Sequence, residues 1–134
     1  MSTYTAPLND IRFALHDVIK AEPLFASIGF EDANTELIDA VLEEAARFSS
    51  SVLSPLNAIG DQHGCTLDKA TGEVTTAPGF KEAFAQFVEG GWTGLTSAVQ
   101  YGGQGMPETL GMATSEMISG GNLAWSLFPL LSHG

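Results

Sequence analysis

"PGFKEAFAQFVEGG", Pro78–Gly91, is the stretch that decides the fold. Its Phe80, Ala83, Phe84, Phe87 and Val88 fall on the i, i+3, i+4, i+7, i+8 template at every position, so they share one face of a helix. Pro78 suits the first turn, and Gly90 and Gly91 stop the helix. One short segment therefore carries a start, an apolar face and an end, and its phenylalanines read as core.

The same grammar extends in both directions. Upstream, Asn34 or Thr35 can cap a helix whose Ile38, Val41, Leu42, Ala45, Phe48 and Val52 form a stripe, with Glu43, Glu44 and Arg47 outside it. Glu43 and Glu44 diverge by about 100° as helix neighbours and read as solvated side chains. Leu8, Ile11, Leu15 and Val18 step by three or four residues and predict a first helix, while Pro55 starts a new short segment. "CTLDKATGEVTTAP" changes character, with β-favouring Thr and Val around Thr71 and Gly72, and predicts a hairpin or loop insertion over 65–78. Downstream, Pro107 and Glu108 open a helix that carries Leu110, Ala113, Thr114 and Met117 inward and ends at Gly120 and Gly121. Asn122 can cap the last one. Its "LAWSLFPLLSHG" is apolar nearly all round, as a helix enclosed on every side would be, yet too short to span a bilayer. With no internal repeat, the expected fold is all-α: an up-and-down bundle of about five helices with one short insertion.

Composition sets the outer limits. A chain of 134 residues, 44% hydrophobic and 16% charged, reads as one globular domain. Five Lys and Arg against 16 Asp and Glu give a net charge of −11, which repels nucleic acid and anionic membrane surfaces. Cys65 is the single cysteine, and "MSTYTAPLND" has neither the basic nor the apolar region of a secretory signal, so a cytoplasmic location and no membrane insertion are expected.

Chemistry is sparse. "YGGQGMP", Tyr101–Pro107, offers GxG at Gly103 and Gly105, but the third glycine of a dinucleotide fingerprint would fall on Glu108, and no strand precedes the loop. A tight turn with positive φ at one or more glycines, or a place where another domain packs closely, is the better reading. His16, His63, His133 and Cys65 lack metal-ligand spacing, and Ser49, Ser50, Ser51 and Ser54 have no adjacent base, so neither a metal site nor a catalytic residue is expected. Trp125 and Phe128 lie in a helix that a lone domain cannot easily cover, which implies a covering partner.

At this point "YTAPLNDIRFALHDV", "EGGWTGL" leading to "YGGQGMP", and "GNLAWSLFPLLSHG" together resemble the N-terminal helical domain of acyl-CoA dehydrogenases, in particular the long branch that includes the 3-methylmercaptopropionyl-CoA dehydrogenases. The resemblance runs along the whole chain. One departure is "SAVQYGG", where many relatives carry Pro and Glu ahead of the tyrosine. Family members combine this domain with a middle β domain and a C-terminal helical domain that supplies the catalytic glutamate. The resemblance therefore implies that 1–134 is a single domain and that the other two are absent from it.

The implied reaction is α,β-dehydrogenation of an acyl-CoA thioester in fatty acid metabolism: a carboxylate takes the α-proton while the β-hydrogen leaves as hydride to FAD. The implied partners are an acyl-CoA substrate and an electron-transfer acceptor. The stretch that helps wall the acyl chain corresponds here to Trp125, Ser126, Phe128 and Pro129, and Tyr101, Gly102, Gly103 and Gly105 form a turn near a domain junction. The chain by itself is expected to bind no FAD, to be inactive, and to self-associate through the uncovered last helix. The alternative is a separate, non-catalytic α-helical interaction subunit of a flavoprotein complex.

Overall fold

The computed structural model describes residues 4–131. The backbone of the fold is a continuous helical rod: α3 (Thr35–Phe48), a π-helical turn at Ser49–Leu53, and α4 (Ser54–His63). Asn34, rather than Thr35, caps it, its Oδ1 accepting the Leu37 N–H at 2.9 Å. Pro55 does not begin a separate segment. It sits in the first turn of α4, where its missing N–H costs little directly after the wider π turn. That turn also moves the apolar stripe. Ile38, Leu42, Ala45 and Phe48 are buried as expected, and Leu53 takes the next fully buried position with Ser49 beside it, while Val52 packs against the core half-buried.

A second π stretch has the same effect near the start. α1 (Leu8–Arg12) runs into π-helical Phe13–Val18, closed by the Ile19 N–H donating to the Ala14 carbonyl at 3.0 Å. The wider turn keeps Ile11 and Leu15 in the core and swings Val18 out to 62% exposure. Lys20, with φ 54, then breaks the chain into α2 (Ala21–Ser27), a helix not expected from the sequence, which buries Ala21 and Phe25 one turn apart. The serines of the rod also find their use here. Ser50 and Ser54 accept the N–H groups of Ala6 and Tyr4 at 3.4 and 3.2 Å, binding the opening segment to the π turn.

The expected insertion is a two-stranded antiparallel hairpin, β1 (Thr66–Leu67) with β2 (Val74–Thr75), exposed throughout. Gly79, at φ 85, redirects the chain into α5 (Phe80–Glu89), two residues beyond Pro78. The inward face of α5 is narrower than its pattern. Phe80, Ala83 and Phe87 are buried, whereas Phe84 and Val88 are 39% and 47% exposed. α6 (Glu108–Gly121) turns Leu110, Ala113, Thr114 and Met117 inward as expected and adds Ile118 and Gly121. At Gly121 any Cβ would lie 2.7 Å from the Ser49 carbonyl oxygen, so only glycine lets α6 approach the π turn this closely.

α7 (Leu123–Leu130) closes the chain and is not enclosed on every side. Its inner face holds Asn122, whose Oδ1 caps the helix through the Trp125 N–H at 3.0 Å and whose Nδ2 donates to the Leu53 carbonyl at 3.3 Å. Trp125 is fully buried, and its indole N–H donates to the Phe80 carbonyl at 3.1 Å. Phe87, Phe48 and Phe84 surround it, with ring centroids at 5.4, 6.0 and 6.3 Å. This aromatic core is one of two. The other, around Ile38, Leu42, Leu110 and Met117, joins α1, α2, α3 and α6.

Across the α1–α3 contact, Arg12 Nε and His16 Nε2 both reach Asp39 Oδ1 at 2.9 Å, and Arg12 also pairs with Glu43. Arg47 pairs with Glu44. Glu43 and Glu44 are therefore ion-paired rather than simply solvated. Burial pushes the Asp39 carboxyl up, but hydrogen bonds from His16 and Arg12 and their charges outweigh it, and the group sits below the usual carboxylate range.

Replacing Asn122 with Ala is expected to cost about 1–3 kcal/mol in chemical denaturation, since it removes a cap and leaves the Leu53 carbonyl without that partner. Trp125→Phe should cost less than Trp125→Ala, for which about 3–5 kcal/mol is expected, because it keeps a ring and loses chiefly the bond to Phe80. Asp39 has a lowered folded pKa, so its contribution is present at neutral pH and lost as pH falls below about 4 toward that value. Asp39→Asn should destabilise at pH 7 by about 0.5–1 kcal/mol, as suits a partly exposed pair, and the difference from the parent should shrink toward pH 3 in parallel melts.

Candidate functional site

The glycine loop is a closed structural turn. Every backbone N–H from Tyr101 to Met106 donates to a carbonyl of the chain itself: Tyr101 and Gly103 to Ala98, Gly102 to Val99, Gln104 to Gly94, Gly105 to Ser97 and Met106 to Leu95. A phosphate would need those amides free. Gly102 and Gly105 have φ 86 and 64, and a Cβ at Gly103 would stand 2.1 Å from the Ser97 carbonyl oxygen. Two glycines thus supply positive φ and the third supplies close approach. Gln104 fastens the loop to the end of α5, its Nε2 donating to the Gly91 carbonyl at 2.9 Å. Tyr101 stands at the tip, 83% exposed.

Cationic groups are equally committed or scattered. Arg12 and Arg47 sit in ion pairs, and Lys20, Lys69 and Lys81 are exposed on separate parts of the chain. The cations of the described residues form no cluster of the kind that holds the phosphates of a nucleotide. Nor do three or more His, Cys, Asp or Glu side chains come together to hold a metal among the described residues, and His133 lies outside them. No helix among the described residues is long and apolar enough to cross a membrane.

What stands out is the outer side of α7. The helix carries no charged residue, and Leu123, Leu127, Leu130 and Leu131 are exposed along it by 63, 47, 60 and 82%. They recur at i, i+4, i+7 and i+8, one stripe opposite the buried face. Phe128, 43% exposed, forms its edge, and its ring stands perpendicular to Phe80 at 6.1 Å. On α5 the exposed Phe84 packs against the buried Trp125 beneath α7.

The four pocket candidates from the sequence divide between its two sides. Trp125 and Ser126 face the interior, the Ser126 hydroxyl donating to the Leu123 carbonyl at 2.8 Å. Phe128 and Pro129 lie at its margin, half-buried or more exposed. Trp125, being fully buried, supports this surface from beneath and does not itself form part of it. Phe84 and Val88 are exposed, although the helical template assigns them to the core, because it counts apolar positions but not the width of the face a neighbour covers.

No family model matches the chain. Across 98% of its length it is 35% identical to the 3-methylmercaptopropionyl-CoA dehydrogenase of Ruegeria pomeroyi, and it spans 22% of that relative. Over nearly all of its own length, the chain thus resembles about a fifth of an acyl-CoA dehydrogenase.

Proposed function

We propose that residues 1–134 are the N-terminal helical domain of an FAD-dependent acyl-CoA dehydrogenase, in which α7 helps wall the acyl chain and packs against neighbouring domains. The single observation that carries the reading is the outer side of α7: apolar, uncharged and uncovered in a chain that is otherwise strongly acidic. An apolar wall is what a thioester's hydrocarbon tail requires, since it excludes water and binds by burial. Phe128 and Pro129 offer such contacts directly, while Trp125 and Ser126 hold the helix in place. The loop of Tyr101, Gly102, Gly103 and Gly105 then acts as a rigid turn at a domain junction. In the full protein, α,β-dehydrogenation of an acyl-CoA would run in the cytoplasm with an external electron acceptor, and the groups that bind FAD and move the proton would come from other domains.

Two outcomes test this. The purified chain should lose all yellow colour on gel filtration after incubation with FAD, and calorimetry with free coenzyme A should give no micromolar binding; a stoichiometric flavin complex would overturn the division of labour. A coding sequence that runs on past codon 134 into a β domain fits the proposal, whereas a stop codon there favours a separate interaction subunit.

The uncovered surface also predicts self-association of the chain alone. A patch of several hundred Å² at about 25 cal/mol per Å² favours burial by several kcal/mol before the entropy of association is subtracted. Sedimentation should show a homodimer or larger species, and changing Leu127 and Phe128 together to Glu should yield monomer with its helical circular dichroism intact. A parent chain that stays monomeric at hundreds of micromolar would count against a sticky α7.

A further inference from the structure

A second uncovered surface lies far from α7 in character and has a different chemistry. α1 and α6 both pack on α3 but leave a groove of about 540 Å³ between themselves. Its floor is Ile11, Leu15 and Ala113, and its walls are Ala14 from the π stretch after α1 and Met112, Ser115 and Ser119 from α6. Small residues on both walls allow a backbone to come close, as they do wherever helices pack tightly. Met112, on the α6 wall, is 71% exposed. The groove runs between α6 and α1 with its π-helical extension, above the core that these helices share with α2 and α3.

Charge says what kind of helix fits. Glu116 lines the groove and no Lys or Arg does. Asp10 lies four residues before Ala14, on the same side of its helix, and Glu108 lies one turn before Met112. All three carboxylates are solvent-exposed, and Arg12 on that stretch is turned away to Asp39 and Glu43. Glu116 is close enough to raise the Tyr4 hydroxyl, for which burial is the larger cause. The groove is thus an apolar floor between two acidic rims. A second copy of this chain is a poor occupant, since the net charge of −11 would place carboxylates against carboxylates.

We propose that this groove docks an amphipathic partner helix whose ridge of Leu and Ala is flanked on both sides by Lys or Arg. The mode is helix-in-groove recognition: the apolar ridge supplies the burial, and the basic flanks set orientation and exclude acidic helices. This surface is independent of α7, so the inference stands or falls apart from the assignment to a dehydrogenase.

The probe is a fluorescein-labelled helical peptide with a Leu/Ala ridge and Lys flanks, compared by anisotropy with the same ridge flanked by Glu. The Lys peptide should bind at least ten-fold more tightly and weaken as salt rises. Ser115→Trp, an exposed position that fills the groove, should reduce its affinity at least ten-fold while leaving helicity unchanged. Asp10→Lys with Glu116→Lys should reverse the preference between the two peptides, which a merely acidic surface elsewhere would not do. Equal binding of both peptides, or undiminished binding to the folded Ser115→Trp chain, would overturn the proposal. So would a parent dimer that Ser115→Trp converts to monomer, because the occupant would then be a second copy.

Discussion

Asn122 and Trp125 together fix how the last helix meets the rest of the molecule. One Asn side chain both caps α7 and holds the carbonyl of Leu53, and one indole N–H holds the carbonyl of Phe80. The first bond attaches α7 to the end of the π turn, the second to the first residue of α5. Around them the aromatic core closes on Phe48 and Phe87. Because both bonds are buried and reach distant segments, α7 has one permitted orientation, and that orientation turns its leucines outward. The uncovered surface is therefore a consequence of satisfied polar groups, not of a loosely held terminus.

Sequence periodicity was a good guide wherever a helix keeps a regular 3.6-residue pitch, and a poor one where the pitch changes. α6 matched position by position, and the caps at Asn34 and Asn122 were legible because a polar residue ahead of an apolar run has few other uses. Val18 leaves the core and Val52 sits at its edge while Leu53 takes the centre, for a shared reason: each lies in a π stretch, where the added residue rotates the stripe. Nothing in the local composition announces a π turn. Pro55 was a hint, read as a break because an isolated proline usually is one. α2 escaped notice because only Ala21 and Phe25 anchor it, too few for a pattern.

The candidate site was legible in part. The glycine loop read correctly as a turn, since Glu108 occupies the place of a third glycine, and the structure adds the reason: all six of its consecutive amides are engaged with the chain's own carbonyls. For α7 the sequence said that the helix is apolar nearly all round but not which side is covered. That depends on where α5 lies, which is a tertiary fact. The outcome is a division between a polar inventory that is internally satisfied and an apolar one that is not. No buried side-chain polar atom lacks a partner among the described residues, while six large apolar side chains on α5 and α7, and Leu131 just after α7, remain exposed.

The central claim is that the outer side of α7 is an interior surface of a larger enzyme. Hydroxyl-radical footprinting, read by mass spectrometry on the isolated chain at monomeric concentration and on the protein translated from the uninterrupted gene, tests it at the residues concerned. Leu123, Leu127, Phe128, Leu130 and Leu131 should lose most of their labelling in the longer protein, while exposed Leu67 and Val74 on the hairpin serve as the internal reference. Equal labelling of the α7 leucines in both proteins would contradict the account.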